Sequence, residues 1–88
     1  MVERKVLVKN PSGLHMAPAN KLAKLACACT SDIEITDGIK TVNPKSLLML
    51  LSTAISCGSL VTVSCSGPDE EKDLQTIVEA IENGLGEL

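Results

Sequence analysis

The chain contains no phenylalanine, tyrosine or tryptophan. Its core must therefore be aliphatic, built from Leu, Ile, Val and Ala with Met and Cys as fillers. The absence also excludes aromatic stacking onto bases, and a net charge of −3 gives no general attraction to a phosphate backbone. No nucleic-acid role is expected. No stretch is long and apolar enough to span a bilayer, so no membrane span is expected either. Met1-Val2-Glu3-Arg4-Lys5 leads straight into a strand-like pattern, unlike a signal peptide. The expectation is a cytosolic protein. Cys27, Cys29, Cys57 and Cys65 form no C-x-x-C pair, and structural zinc spacing is missing. No metal site is expected. In a cytosolic chain these thiols are reduced; Cys29 and Cys65 read as small core residues and Cys27 as partly exposed. Histidine is the scarcest reactive group, with His15 standing alone.

What is present fits one small domain of 88 residues. Val6 and Val8 alternate with Lys5, Leu7 and Lys9, as in a half-buried strand. Asn10-Pro11-Ser12-Gly13 is a turn cluster. A helix is expected from about Met16 to Ala28, burying Ala19, Leu22, Leu25, Ala26 and Cys29 and exposing Asn20, Lys21, Lys24 and Cys27. Ile33 and Ile35 alternate next. Asp37-Gly38 signals a hairpin into a short arm, Lys40-Thr41-Val42. Ser46 is a natural N-cap for a helix from Leu47 to about Thr53. Leu60 to Cys65 reads as a strand with Val61, Val63 and Cys65 inward. A last helix opens on Asp69, Glu70 and Glu71, buries Leu74, Ile77, Val78 and Ile81, and ends at Gly84. The order is β-α-β-β-α-β-α, an α+β fold with helices covering one face of a sheet.

The site is Ser12-Gly13-Leu14-His15-Met16-Ala17-Pro18-Ala19. Gly13 lets the backbone turn, and Pro18 fits a first helical turn where its missing N–H is not needed. His15 therefore sits where a loop becomes a helix, beside unpaired N–H groups and the positive dipole end, an arrangement that binds anions. A neutral imidazole is a good nucleophile near neutral pH. Together these features suggest a histidine that accepts and holds a phosphoryl group. The backbone N–H groups of Met16 and Ala17 would cradle it.

Gly13-Leu14-His15-Met16-Ala17-Pro18-Ala19 resembles the phosphohistidine motif of the HPr phosphocarriers of the bacterial sugar phosphotransferase system, Gly-x-His-x-Arg-Pro-Ala, with Ala17 where that motif has arginine. The resemblance covers almost the whole chain in element order and motif positions. It implies an open-faced β-sandwich: a four-stranded antiparallel sheet with three helices on one side. It also implies that His15 takes the phosphoryl group from Enzyme I and passes it to an Enzyme IIA-type acceptor. The chain is then a substrate of other enzymes, not a catalyst. It needs no cofactor, and magnesium belongs to Enzyme I. A monomer is sufficient.

Asn43-Pro44-Lys45-Ser46-Leu47-Leu48 resembles the regulatory serine segment of the same family, which implies that a serine kinase/phosphorylase acts on Ser46. A phosphate on an N-cap meets helix N–H groups, so the fold would tolerate it. Leu47-Leu48-Met49-Leu50-Leu51 is apolar on every side. Leu47, Leu50 and Ala54 can supply a buried face, leaving Leu48, Met49 and Leu51 surplus. That surplus reads as a partner-binding patch. With Leu47, Leu48, Leu51 and Lys24 it forms a docking face beside His15. Three functions are open: a phosphoryl carrier, a regulatory binding module that works mainly through Ser46 with transfer weakened at Ala17, or a plain ligand-sensing or oligomerising domain in which His15 is incidental. Lys21 lies four residues beyond Ala17, and helical side chains lean toward the N-terminus. Its ammonium is expected to reach over Ala17 and partly replace the missing arginine.

Overall fold

A computed structural model describes residues 1–87. The elements run β1 (Val2–Leu7), α1 (Met16–Cys27), β2 (Asp32–Thr36), β3 (Thr41–Val42), α2 (Leu47–Leu51), β4 (Leu60–Ser66) and α3 (Glu70–Glu82), followed by a 3-10 turn at Gly84–Gly86. The four strands form one sheet in the order β1-β4-β2-β3. Every pairing is antiparallel, with Val6 opposite Val61, Ile33 opposite Cys65 and Ile35 opposite Val42. The three helices lie on one face, giving the expected open-faced sandwich. No helix among the described residues is long and apolar enough to cross a membrane.

Alternation decides which face is covered. Ile33 and Ile35 on β2, Val61, Val63 and Cys65 on β4, and Val6 on β1 point inward and are buried. Glu3, Lys5 and Glu34 occupy the opposite, uncovered face and stay exposed. Leu74, Ile77, Val78 and Ile81 recur at helical spacing and bury α3 against β1 and β4. Asp73, also buried, accepts the Ser31 N–H at 3.0 Å and ties α3 to the entry of β2. The β2–β3 hairpin is closed by Asp37, whose Oδ1 accepts the N–H groups of Ile39 and Lys40, both at 2.9 Å.

Several expectations shift by a position or two. On α1 the buried stripe is Ala19, Leu22, Ala23 and Ala26, with Pro18; Leu25 and Cys29 are only half-buried. The small alanines let α1 approach closely, so the inward face centres on them and Leu25 falls at its edge. α2 ends at Leu51, short of Thr53. The Ser52 hydroxyl donates to the Met49 carbonyl at 2.6 Å and the Thr53 hydroxyl to the Leu50 carbonyl at 2.8 Å, taking acceptors a longer helix would use. The chain then turns, so Ile55 takes the inward position and Ala54 is exposed. Leu47, expected in the buried face, is half-buried.

Candidate functional site

The loop before α1 is locked from several sides. Gly13 has φ +60, and a Cβ there would fall 2.6 Å from Ser56 Cα and 2.7 Å from the Ile55 carbonyl oxygen. Only glycine meets both conditions. Leu14 is buried, and its N–H donates to the Ile55 carbonyl at 3.2 Å. Asn10 is fully buried beneath the turn: its Nδ2 donates to the Gly13 carbonyl at 2.6 Å, and its carbonyl accepts the Gly13 N–H at 3.1 Å. Asn10 and Gly13 thus deliver His15 to one place on the surface.

His15 is the N-cap of α1, in extended conformation (φ −85, ψ −176). Its carbonyl accepts the Ala19 N–H at 2.8 Å, while its side chain makes no cap bond and is exposed. The imidazole is held by its backbone and left free for chemistry. Met16 and Ala17, exposed in the first turn, carry N–H groups that no carbonyl of the helix can take. Pro18, buried behind them, has no N–H to leave unpaired. The arrangement offers a nucleophile, two backbone donors and the positive end of a 12-residue helix within one turn of chain. Among the described residues no group of His, Cys, Asp and Glu side chains is placed to hold a metal ion.

Glu87 completes the loop, a contact that no sequence pattern signals. Its Oε1 accepts the Ser12 N–H at 3.0 Å and Asn10 Nδ2 at 3.1 Å, and its Oε2 accepts the Ser12 hydroxyl at 2.8 Å. The Asn10 amide and the two Ser12 donors hold the Glu87 carboxyl below the usual carboxylate value, with a further contribution from His15. The turn cluster at Asn10–Gly13 was legible, but nothing in the local sequence points to a partner at position 87.

Lys21 lies against the end of the chain. Its ammonium lies over the C-terminal turn: a Cβ on Gly86 would sit 3.2 Å from Nζ and 3.6 Å from Cδ. Lys21 lines a recess there with Leu25, Ala80, Asn83 and Leu85. The physical reason is that the turn packs on α1 and gives the apolar stem a surface to lie along. Its charge therefore lies at the segment that carries Glu87.

Ser46 caps α2 as expected, its Oγ accepting the Met49 N–H at 3.2 Å. α1 and α2 pack side by side. Leu14 meets Ile55 beyond the end of α2, and the Cys27 thiol at the end of α1 donates to the Lys45 carbonyl at 3.4 Å. The two helices therefore run antiparallel. Leu51 is at the His15 end, whereas Ser46 is at the other, about 18 Å away along α1 at 1.5 Å per residue. Leu48 is strongly exposed, Leu47 and Leu51 half-buried, and Lys24 exposed on α1.

Residues 2–83 match the family described as PTS HPr component phosphorylation site. The phosphocarrier protein HPr of Chlamydia muridarum is 33% identical over 82 residues, which cover 93% of this chain and 79% of that one. The HPr-like protein Crh of Halalkalibacterium halodurans is 39% identical over 82 residues, covering 93% and 98%. The crystal structure of HPr-C-His from Thermoanaerobacter tengcongensis superposes with a TM-score of 0.94 at 35% identity, over 100% of this chain and 99% of that one. An HPr dimer from the same organism is similar at a TM-score of 0.77 and 36% identity, over 99% and 100%. With its fold, its element order and the matched segment that contains the His15 loop, the chain belongs to the HPr family, the phosphocarriers of the phosphotransferase system.

Proposed function

We propose that His15 is the residue that carries the phosphoryl group, taking it from Enzyme I and passing it to an Enzyme IIA-type acceptor in the cytoplasm. In each transfer an imidazole nitrogen forms a P–N bond as the bond between phosphorus and the donor breaks, and the ring proton leaves to solvent. The next acceptor reverses the exchange. The observation that carries this reading is the exposed imidazole of His15 at the α1 N-cap, free of side-chain bonds and beside the Met16 and Ala17 N–H groups. Leu47, Leu48, Leu51 and Lys24 serve as the docking face. A single copy is the working unit.

The test is incubation with Enzyme I, phosphoenolpyruvate and Mg²⁺. Acid-labile label on His15, absent from a folded His15→Ala variant, is the expected result. Label that persists in the variant would sink the assignment.

A second reading is a regulatory module acting through Ser46. Ala17 favours it, since a methyl group brings no cation to the phosphohistidine. Acid-stable label on Ser46 from a serine kinase/phosphorylase and ATP, with slow charging of His15, would select it.

A further inference from the structure

Among the described residues, Glu87 is the carboxylate bonded into the loop that leads to His15. Three donors converge on it: the Ser12 N–H, the Ser12 hydroxyl and the Asn10 amide. The segment that delivers it is built, not loose. Leu85 is buried in a left-handed conformation (φ 50), and the Glu87 N–H donates to the Gly84 carbonyl at 2.9 Å. The turn packs against both α1 and α3.

The donors that Glu87 holds are also those a phosphoryl oxygen seeks: a backbone N–H and a hydroxyl, three residues before the imidazole. A carboxylate and a phosphoryl group cannot both be close without electrostatic cost. Phosphorylation would bring to position 15 a charge of the same sign as the carboxylate.

We propose that Glu87 is a built-in counter-anion of the phosphohistidine site, holding the Ser12 donors while His15 is free and opposing the loaded state when His15 carries a phosphoryl group. The inference rests on the phosphohistidine reading of His15. Glu87 is a positioning residue, acting through Ser12 and through its charge. Its effect is to make the loaded carrier a stronger donor, so that the group is handed on.

Phosphoramidate provides a test that needs no Enzyme I. The imidazole displaces ammonia from phosphorus: the P–N bond of the reagent breaks, one to the ring forms, and ammonia leaves with the ring proton as ammonium. The loaded fraction is read at a fixed ratio of phosphoramidate to ammonium, alongside the Ser12 amide resonance. In the unsubstituted chain the Ser12 amide should move on loading. In Glu87→Gln the equilibrium constant for loading should rise about fivefold, a gap that narrows as salt is added. Glu34→Gln removes the same charge from the uncovered sheet face and should leave loading unchanged. Equal loading of Glu87→Gln and the unsubstituted chain would overturn the proposal, as would a fall in the variant. A chain that loads with phosphoramidate but never with Enzyme I would sink the carrier reading while leaving the Glu87 result intact.

Discussion

Leu48 and Leu50 sit two positions apart on the same short helix and lie at opposite extremes, 80% exposed and 0% exposed. A helix of five residues cannot bury leucine all round, so one is core and the other is surface. The two substitutions therefore separate folding from binding. Leu50→Ala should cost about 2–5 kcal/mol in urea unfolding. Leu48→Glu should change stability by less than about 0.5 kcal/mol. It should instead raise the KM of Enzyme I for this chain.

Ser46 accepts the Met49 N–H, so Ser46→Ala should lower stability by about 1 kcal/mol. Ser46→Asp keeps an acceptor at the cap and should stay folded. Its charge lies at the opposite end of α1 from His15, beyond the screening length of about 8 Å at physiological salt. Any loss of charging must therefore come through docking, as a raised KM with an unchanged kcat. Charging kinetics identical to those of the unsubstituted chain would count against regulation at Ser46.

The four thiols should separate by accessibility and ionisation. Cys27 and Cys57 are exposed. Burial, with Asp73 nearby, raises the Cys29 thiol, and burial pushes Cys65 up to about 11. At pH 8 a thiol reagent should modify two cysteines quickly and Cys29 slowly, because the thiolate is the reacting form. Cys65 should react only on unfolding. Fast modification of Cys65 in the native protein would contradict its buried place on β4, facing the helices.

The Glu87 contacts predict an acid-sensitive tail. Its carboxyl is held below the ordinary 4.5, chiefly by Asn10 and then by Ser12. A depressed carboxyl contributes stability that is complete above the unfolded value and is lost as pH falls through the folded one. The Ser12 and Asn10 side-chain resonances should therefore stay constant from neutral pH down to about 5 on account of Glu87, and shift together below its usual range. In Glu87→Gln the low-pH step should vanish.

Ala17→Arg should speed charging of His15, since a guanidinium there could make a charge-assisted contact typically worth about 1.5–3 kcal/mol. Lys21 is directed over Gly86, so Lys21→Ala should alter charging alike in either background, with additivity to within about 0.3–0.5 kcal/mol. Strong coupling in a double-mutant cycle would show that Lys21 swings toward the loaded histidine.

Much of this molecule is legible in its sequence because the relevant signals are local. Period-two alternation marks β2 and β4, and helical spacing marks α3. Asp37-Gly38 marks the hairpin and Ser46 the α2 cap. Gly13, His15 and Pro18 mark the loop-to-helix junction and so the candidate site. Tertiary structure decided what depends on which surfaces meet. β1 pairs with β4 rather than with its neighbour in sequence, which leaves β4 between β1 and β2 inside the sheet. Ile55 replaces Ala54 in the core, because hydroxyls end α2 early. Lys21 follows the C-terminal turn, because that turn packs on α1. Glu87 reaches Ser12 across 75 positions of chain. No periodicity or turn chemistry encodes such a contact; it exists because packing α3 on the sheet returns the end of the chain to the loop before His15.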